Sequence, residues 1–428
     1  MNRNRRSVLL MLAAVPLLAL PVFSQDIRTA TPEDAGLSAN RLARVDSLWD
    51  RYISEGKIPG VVTAIARHGE VVHLGTQGMM DVEDGRVMRP DAIFRMASMT
   101  KPITSVALMI LFEEGRFQLE DPISQYIPEL AGMRVVADSG SSSDGSALED
   151  AERAVTVRNL LTHTAGLGPG SMHPPVDSLY QQLNTSHGYT LNEEMDRIGK
   201  LPLLFQPGTR WSYSIATDVL GYLIEVLAGV PFDRFLRQRL FEPLGMIDTD
   251  FFVPAEKRDR LASLYSVSDP EAMERATAPF LPADAHVPPA RSRGAAGLYS
   301  TTGDYLRFAR MLLNYGELDG VRILGRKTVE LMTQNHLPTG VSLPDQFGRK
   351  YGLAGYGFGL GFRVRTDVAK SQLPGSVGEY GWAGACETYF LVDPKEDLVA
   401  LFMTQLIPST HYPIRREFTT LVYQAIVD

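Results

Sequence analysis

Apolar residues recur along this chain with two different periods, and the places where the period changes outline a fold. After Ser38, the residues Leu42, Val45, Leu48, Trp49 and Tyr52 fall at helical spacing, which predicts an amphipathic helix capped by Ser38. Two short β-like runs follow at 61–66 and 71–74, with a turn at His68-Gly69 between them. A strongly apolar helix is predicted from about Ser98 to Glu114, and further helices near 219–228 and 232–240. Near the end, apolar runs at 388–392 and 398–403 flank Asp393-Pro394-Lys395-Glu396-Asp397, a strong hairpin signal. A last amphipathic helix, about 415–427, turns Phe418, Leu421, Val422 and Ile426 toward a core.

Strands at both chain ends with helices between them predict an α+β fold. One antiparallel sheet, flanked by helices, is built from N- and C-terminal segments, and a mainly helical domain is inserted. The expected division is 25–100 with 290–428 for the α/β part and 101–289 for the mainly helical part. Between 137 and 154 lies a tract of Ser, Gly, Asp and Glu with little to bury, read as an exposed loop.

The first 24 residues are excluded from the fold. Arg3, Arg5 and Arg6 precede an almost wholly apolar run from Val8 to Val22, and Ser24 and Gln25 follow. That is the layout of a signal peptide cleaved after Ser24. Arg5-Arg6 also suits a twin-arginine signal, and a plain Sec signal has the same ingredients. The run is short for a membrane span, so no stable anchor is expected after cleavage and the mature chain should be periplasmic or secreted. About 400 residues remain, enough for a substantial core. The formal charge of −8 includes the three signal arginines, so the mature chain is more acidic still. An acidic chain without a basic stripe argues against nucleic acid as a partner. Cys386 is the single cysteine, so no intrachain disulfide forms. The eight histidines are scattered, and no metal or cofactor is implied.

The chemistry starts at Ser98-Met99-Thr100-Lys101, an S-x-x-K tetrad. The pattern alone is weak, because Ser54-Glu55-Gly56-Lys57 repeats it. Context separates them: Ser54 ends a helix and runs into Gly56 and Pro59, whereas Ser98 opens one, with Pro102 tolerated in its first turn. Residues three apart share a helix face, which puts Lys101 beside Ser98. A serine becomes a nucleophile when a neighbouring base takes its proton. A lysine does this only when neutral, so its usual pKa of about 10.4 must fall through burial or nearby positive charge. The residues alone equally allow a helix cap beside a surface charge.

Two more segments bear on the choice. Tyr213 lies on a loop, 207–214, just before an apolar helix, where it could share the serine proton; the alternative is a packed aromatic. Gly381-Trp382-Ala383-Gly384-Ala385 precedes the strand at Thr388, where small residues let backbone N–H groups approach an oxyanion; the alternative is an ordinary tight turn into that strand.

These three elements, in this order and spacing, resemble the class C β-lactamase and penicillin-binding-protein group, and most closely the family VIII carboxylesterases of the same fold. The segments Leu160-Leu161-Thr162-His163-Thr164-Ala165-Gly166-Leu167, Tyr213 to Gly221, and Gly297-Leu298-Tyr299-Ser300-Thr301 extend the resemblance over about 33–405. It implies that Ser98 attacks, that Lys101 and Tyr213 handle the proton, and that the N–H groups of Ser98 and Ala385 form an oxyanion hole. Trp382, Gly384 and Ile215 would contact substrate. His163 belongs to a motif that is scaffold in relatives, and Asp218 is either a support behind the lysine or a helix cap. Two departures stand out: Ile215 where β-lactamases of this group carry asparagine, and Trp382 where they carry lysine or histidine. Both favour neutral, apolar esters over an anionic β-lactam. The expected function is therefore a serine carboxylesterase with small-molecule substrates, with some β-lactam hydrolysis retained. The alternatives are a β-lactamase or DD-peptidase, and a relative kept for binding alone.

Overall fold

The computed structural model describes residues 29–428 apart from 138–146, 170–173, 186–187, 270–271, 283, 346–347 and 349–350. The expected signal peptide and most of the Ser/Gly-rich tract lie outside the described residues.

An eight-stranded antiparallel sheet forms the centre. Its strands are β1 (Gly60–Arg67), β2 (Glu70–Asp81), β3 (Arg86–Val87), β4 (Tyr356–Phe358), β5 (Arg363–Arg365), β6 (Tyr380–Gly384), β7 (Thr388–Asp393) and β8 (Leu398–Met403), in the spatial order β4-β5-β6-β7-β8-β1-β2-β3. The join between the two chain ends is β1 against β8, in register from Val62 opposite Met403 to Arg67 opposite Leu398. The sheet is covered on both faces, which is why its middle strands read as unbroken apolar runs. Along β8, Leu398, Ala400 and Phe402 face one core, while Val399, Leu401 and Met403 face the other.

The first core lies under helices α1 (Ala39–Ser54) and α5 (Ile414–Tyr423). Ser38 caps α1 by accepting from the Arg41 N–H, and its five periodic apolar residues are all buried. Trp49 packs on Phe402 and Phe418 with ring centroids 5.0 and 5.7 Å apart. The opposite core holds α2 (Thr100–Glu113), α3 (Ala216–Ala228) and α4 (Thr302–Leu313). Every residue of α2 from Thr100 to Leu111 is buried, so it is the central strut of that layer.

Several expectations needed correction. The apolar helix begins at Thr100; Ser98 sits in a single 3₁₀ turn, Ala97–Met99, just ahead of it. Gly381 to Gly384 belong to a strand of their own, β6, because they pair with β7 from Tyr380 opposite Val392 to Gly384 opposite Thr388. The last helix stops at Tyr423 instead of 427, since the following residues pair with the chain start: Ser38 N–H donates to Ala425 O and Val427 N–H to Gly36 O. The end of the polar tract is not all loop, as Leu148–Asp150 pairs with Arg134–Val136. The middle of the chain also contributes a hairpin, Tyr265–Asp269 with Ala272–Arg275, which extends to Leu406–Ile407.

Candidate active site

The site forms where the 3₁₀ turn, the loop before α3 and the end of β6 meet. Ala97, immediately before Ser98, has φ of 45°, a left-handed conformation that costs a non-glycine residue energy and holds the serine in a fixed, half-buried position. Gly384 is required by close approach. A Cβ there would lie 2.4 Å from Met96 O and 2.2 Å from Thr388 Oγ1, so a larger residue would push β6 off the turn that carries Ser98.

Lys101, the second residue of the buried helix, lies with Nζ 3.4 Å from Ser98 Oγ and donates to Ala295 O at 2.7 Å. Burial pushes its pKa down to about 7; the nearby Asp218 opposes this and the Arg293 charge assists it. A substantial fraction of Lys101 is therefore neutral near pH 7 and able to accept a proton. Tyr213 completes the cluster. Its hydroxyl is hydrogen-bonded to Ser98, accepts from Trp382 Nε1 at 3.3 Å, and its ring carries Lys101 Nζ at 4.6 Å from the centroid. Burial raises the Tyr213 pKa above its usual value, while the bonds to Ser98 and Trp382 pull the other way. The phenol thus rests protonated, and Lys101 is the group poised to take a net proton.

Behind these residues stands a buried ion pair that the chain sequence only half disclosed. Asp218, in the first turn of α3, does not cap its helix. Its Oδ2 accepts from Arg293 Nη2 at 2.7 Å and its Oδ1 from Ala295 N–H at 2.8 Å. Ala295 thus receives Asp218 on its N–H and Lys101 on its carbonyl, which links the carboxylate to the lysine through one peptide residue. Neither Arg293 nor Ala295 stands out in the sequence. The available signal was a buried acid in a helix that needs a partner, and Arg291-Ser292-Arg293-Gly294 just before the Gly297 motif.

His163 is buried with φ of 55°, and its Nδ1 lies 3.1 Å from Ser214 Oγ. Its ring sits 4.9 Å from that of Tyr213, and its carbonyl accepts from Ser212 N–H at 2.9 Å. Burial, with help from the Lys101 charge, holds its pKa well below the usual histidine range, so it is a neutral brace under the tyrosine loop. Ile215 is buried at the start of α3 and lines the cavity beside Lys101.

Ser98, Tyr213 and Ala385 form a wall shared by two cavities. One, of about 110 Å³, is lined by Trp382, Tyr351, Leu353, Arg363, Ser409 and Arg415. The other, of about 190 Å³, holds Lys101, Ile215, Phe280 and Arg293. It shares Phe280, Arg293 and Ala296 with a wider cleft of about 340 Å³ bordered by Pro282, Val287 and Pro289. An ester centred on Ser98 would therefore have one arm in each cavity. Among the described residues no group of side chains is suited to hold a metal ion, and no helix is long and apolar enough to cross a membrane.

Comparison with known proteins shows the family. The family model described as Beta-lactamase matches residues 43–423. Esterase EstB of Burkholderia gladioli is 32% identical, covering 86% of this chain and 91% of its own. Protein Rv1367c of Mycobacterium tuberculosis is 36% identical over 83% of this chain and 87% of its own. The solved structure of EstCE1, a hydrolase with promiscuous acyltransferase activity, superposes with a TM-score of 0.76 at 26% identity, covering 90% of this chain and 99% of that one. With its S-x-x-K serine beside a buried lysine and a tyrosine, and with this match over most of its length, the chain belongs to the beta-lactamase family and is a serine hydrolase.

Proposed function

We propose that this protein is a carboxylesterase that acts through an acyl-enzyme on Ser98. The observation that carries the choice of ester over β-lactam is Trp382. An indole, hydrogen-bonded to Tyr213, closes the site where a cationic side chain would meet an anionic substrate. Of the two arginines that line this cavity, Arg415 has Nε and Nη2 engaged by Glu387 and the Gly384 carbonyl, at 2.8 and 2.9 Å, and Arg363 is buried between two tyrosine rings. Esterase EstB, among the relatives, carries the same activity in its name.

In the first step Ser98 Oγ bonds to the ester carbonyl carbon as its proton passes to the Lys101–Tyr213 pair. The N–H groups of Ser98 and Ala385 receive the oxyanion. The tetrahedral intermediate collapses with cleavage of the bond to the alcohol oxygen, and that oxygen takes the proton back from Tyr213. Water then adds to the acyl carbon, its proton follows the same route, and the acid leaves with Ser98 restored.

A hydrogen bond to a charged group is worth about 1.5–3 kcal/mol, or about 10- to 150-fold in rate or affinity. Ile215 and Trp382 remove two such partners for a β-lactam. The test is kcat/KM for 4-nitrophenyl butyrate against a chromogenic cephalosporin on one preparation. The ester is expected to lead by at least about 10-fold; equal or faster cephalosporin hydrolysis would put the β-lactamase reading first. We also propose that residues 1–24 export the protein to the periplasm or beyond, to be checked by sequencing the N-terminus of the mature chain.

A further inference from the structure

Two arginines on β5, Arg363 and Arg365, point to the same side of the strand. Both are buried, at 5% and 0% exposure. Their hydrogen bonding differs sharply. Arg365 donates from Nε and Nη2 to Tyr356 Oη at 3.1 and 2.7 Å. Its Nη1 reaches the carbonyls of Leu373 and Pro374, both at 2.9 Å, and its Nη2 pairs with Glu379 at 2.8 Å. Arg363 donates from Nη2 to Tyr389 Oη at 2.7 Å. Glu379, already held by Arg365, is 3.6 Å from it, and its Nε–H has no acceptor.

Arg363 is nevertheless fixed. Its guanidinium lies between the rings of Tyr356 and Tyr389, 5.0 and 4.9 Å from their centroids. A guanidinium carries five donors, and a buried one with so few acceptors is unfavourable unless another group supplies them. Arg363 lines the cavity that holds Ser98 and Trp382. Its Nε is closed to solvent, so an acceptor entering there meets the edge of the guanidinium that lines the cavity.

We infer that Arg363 is a specificity residue that receives an oxygen acceptor, a carbonyl or a carboxylate, on the alcohol arm of the ester substrate. The inference rests on the esterase reading above and adds the chemistry of one arm. The arm follows from the path of the proton. Tyr213 Oη is the acid for the departing alkoxide and is bound to Trp382 Nε1. Tyr213 lines both cavities, but Trp382, which holds its hydroxyl, borders the Arg363 cavity and not the Lys101 cavity, and this assigns the alcohol to the Arg363 side. The alcohol pocket thus contains, beside Ser409 and an Arg415 already engaged by Glu387 and the Gly384 carbonyl, one fixed charged donor short of acceptors, and it selects alcohols bearing an oxygen function distal to the ester bond.

The test uses three aryl butyrates that share an acyl group: 3-isopropylphenyl, 3-acetylphenyl and 3-carboxyphenyl butyrate. Each kcat/KM is divided by that ester's own alkaline hydrolysis rate, to remove the reactivity of the leaving group. The wild-type enzyme is expected to favour an oxygen-bearing ester over the isopropyl ester, of similar shape, by about 10-fold or more. Whether acetyl or carboxyl leads tells a neutral acceptor from an anionic one. Arg363→Met should bring the preference close to unity, and Arg363→Lys should retain only part of it, because an ammonium lacks the planar fork. A wild-type ratio near unity, or an unchanged ratio in Arg363→Met, overturns the inference. Should the methionine variant fail to label with a serine phosphonate, the wild-type and lysine ratios decide. Equal hydrolysis of all three esters removes this inference and leaves the esterase reading standing; hydrolysis of none removes both.

Discussion

Ser54-Glu55-Gly56-Lys57 and Ser98-Met99-Thr100-Lys101 have the same spacing and opposite fates. Ser54 is the last residue of α1, exposed, with Oγ donating back to Arg51 O at 3.0 Å. Its lysine is partly exposed, paired with Glu55 at 2.6 Å and held over the rings of Tyr52 and Tyr412. Ser98 stands at the start of a helix buried on all sides, and its lysine is 5% exposed. The acid whose charge acts on Lys101, Asp218, is already claimed by Arg293 and the Ala295 N–H. The tetrad, then, supplies only proximity. Chemistry needs a lysine that has lost its proton, and burial without a free counter-ion achieves that.

The contrast should be greatest at the serines. Ser98→Ala should abolish both ester hydrolysis and labelling by a serine-directed phosphonate while the protein remains folded, and Ser54→Ala should leave both unchanged. Full-stoichiometry labelling of the Ser98 variant would move the nucleophile elsewhere.

The next effect separates the lysines. Lys101→Ala and Tyr213→Phe should each lower turnover by about 10²–10⁴, the range of general acid–base groups, whereas Lys57→Ala should not alter it. Because Lys101 and Tyr213 would move one proton, the double variant should be little worse than either single one. Losses that multiply would separate their roles.

A shift of pH profile is the smallest effect. Only neutral Lys101 can accept a proton, and its pKa is about 7, so kcat/KM should fall as pH drops through 7 and level off above it. Asp218 raises that pKa and Arg293 lowers it. Asp218→Asn should therefore move the acidic limb to lower pH, and Arg293→Met should move it to higher pH. A limb that stays fixed in both variants would mean that another group titrates there.

Much of this was legible in residue order. The capped helix α1 and the β7–β8 hairpin follow from local periodicity and turn chemistry, because each is decided by residues within about one element length. The three segments of the site were legible for a related reason. A serine and lysine at a helix start, a tyrosine on a loop before a helix and a small-residue strand edge are each common alone, but together they supply every group that acyl transfer needs. The C-terminal helix marks the limit. Its apolar period runs to Ile426, yet the backbone leaves the helix after Tyr423 to pair with Gly36 and Ser38, nearly four hundred positions earlier. No local signal reports a partner so distant.

Residue order alone thus dictated which side chains could react and the sequence in which the chain presents them. Folding set the two S-x-x-K tetrads, already separated by their neighbours in the sequence, in opposite environments, by burying one lysine and leaving the other at the surface. It also placed Arg293 and Ala295 behind Lys101, made Asp218 their partner and not a helix cap, and gave Arg365 a full set of acceptors while leaving Arg363 short of them. One cause underlies all four. Proton affinity and hydrogen-bond satisfaction depend on solvent exclusion and on partners within a few ångströms, and those are fixed only when distant segments pack.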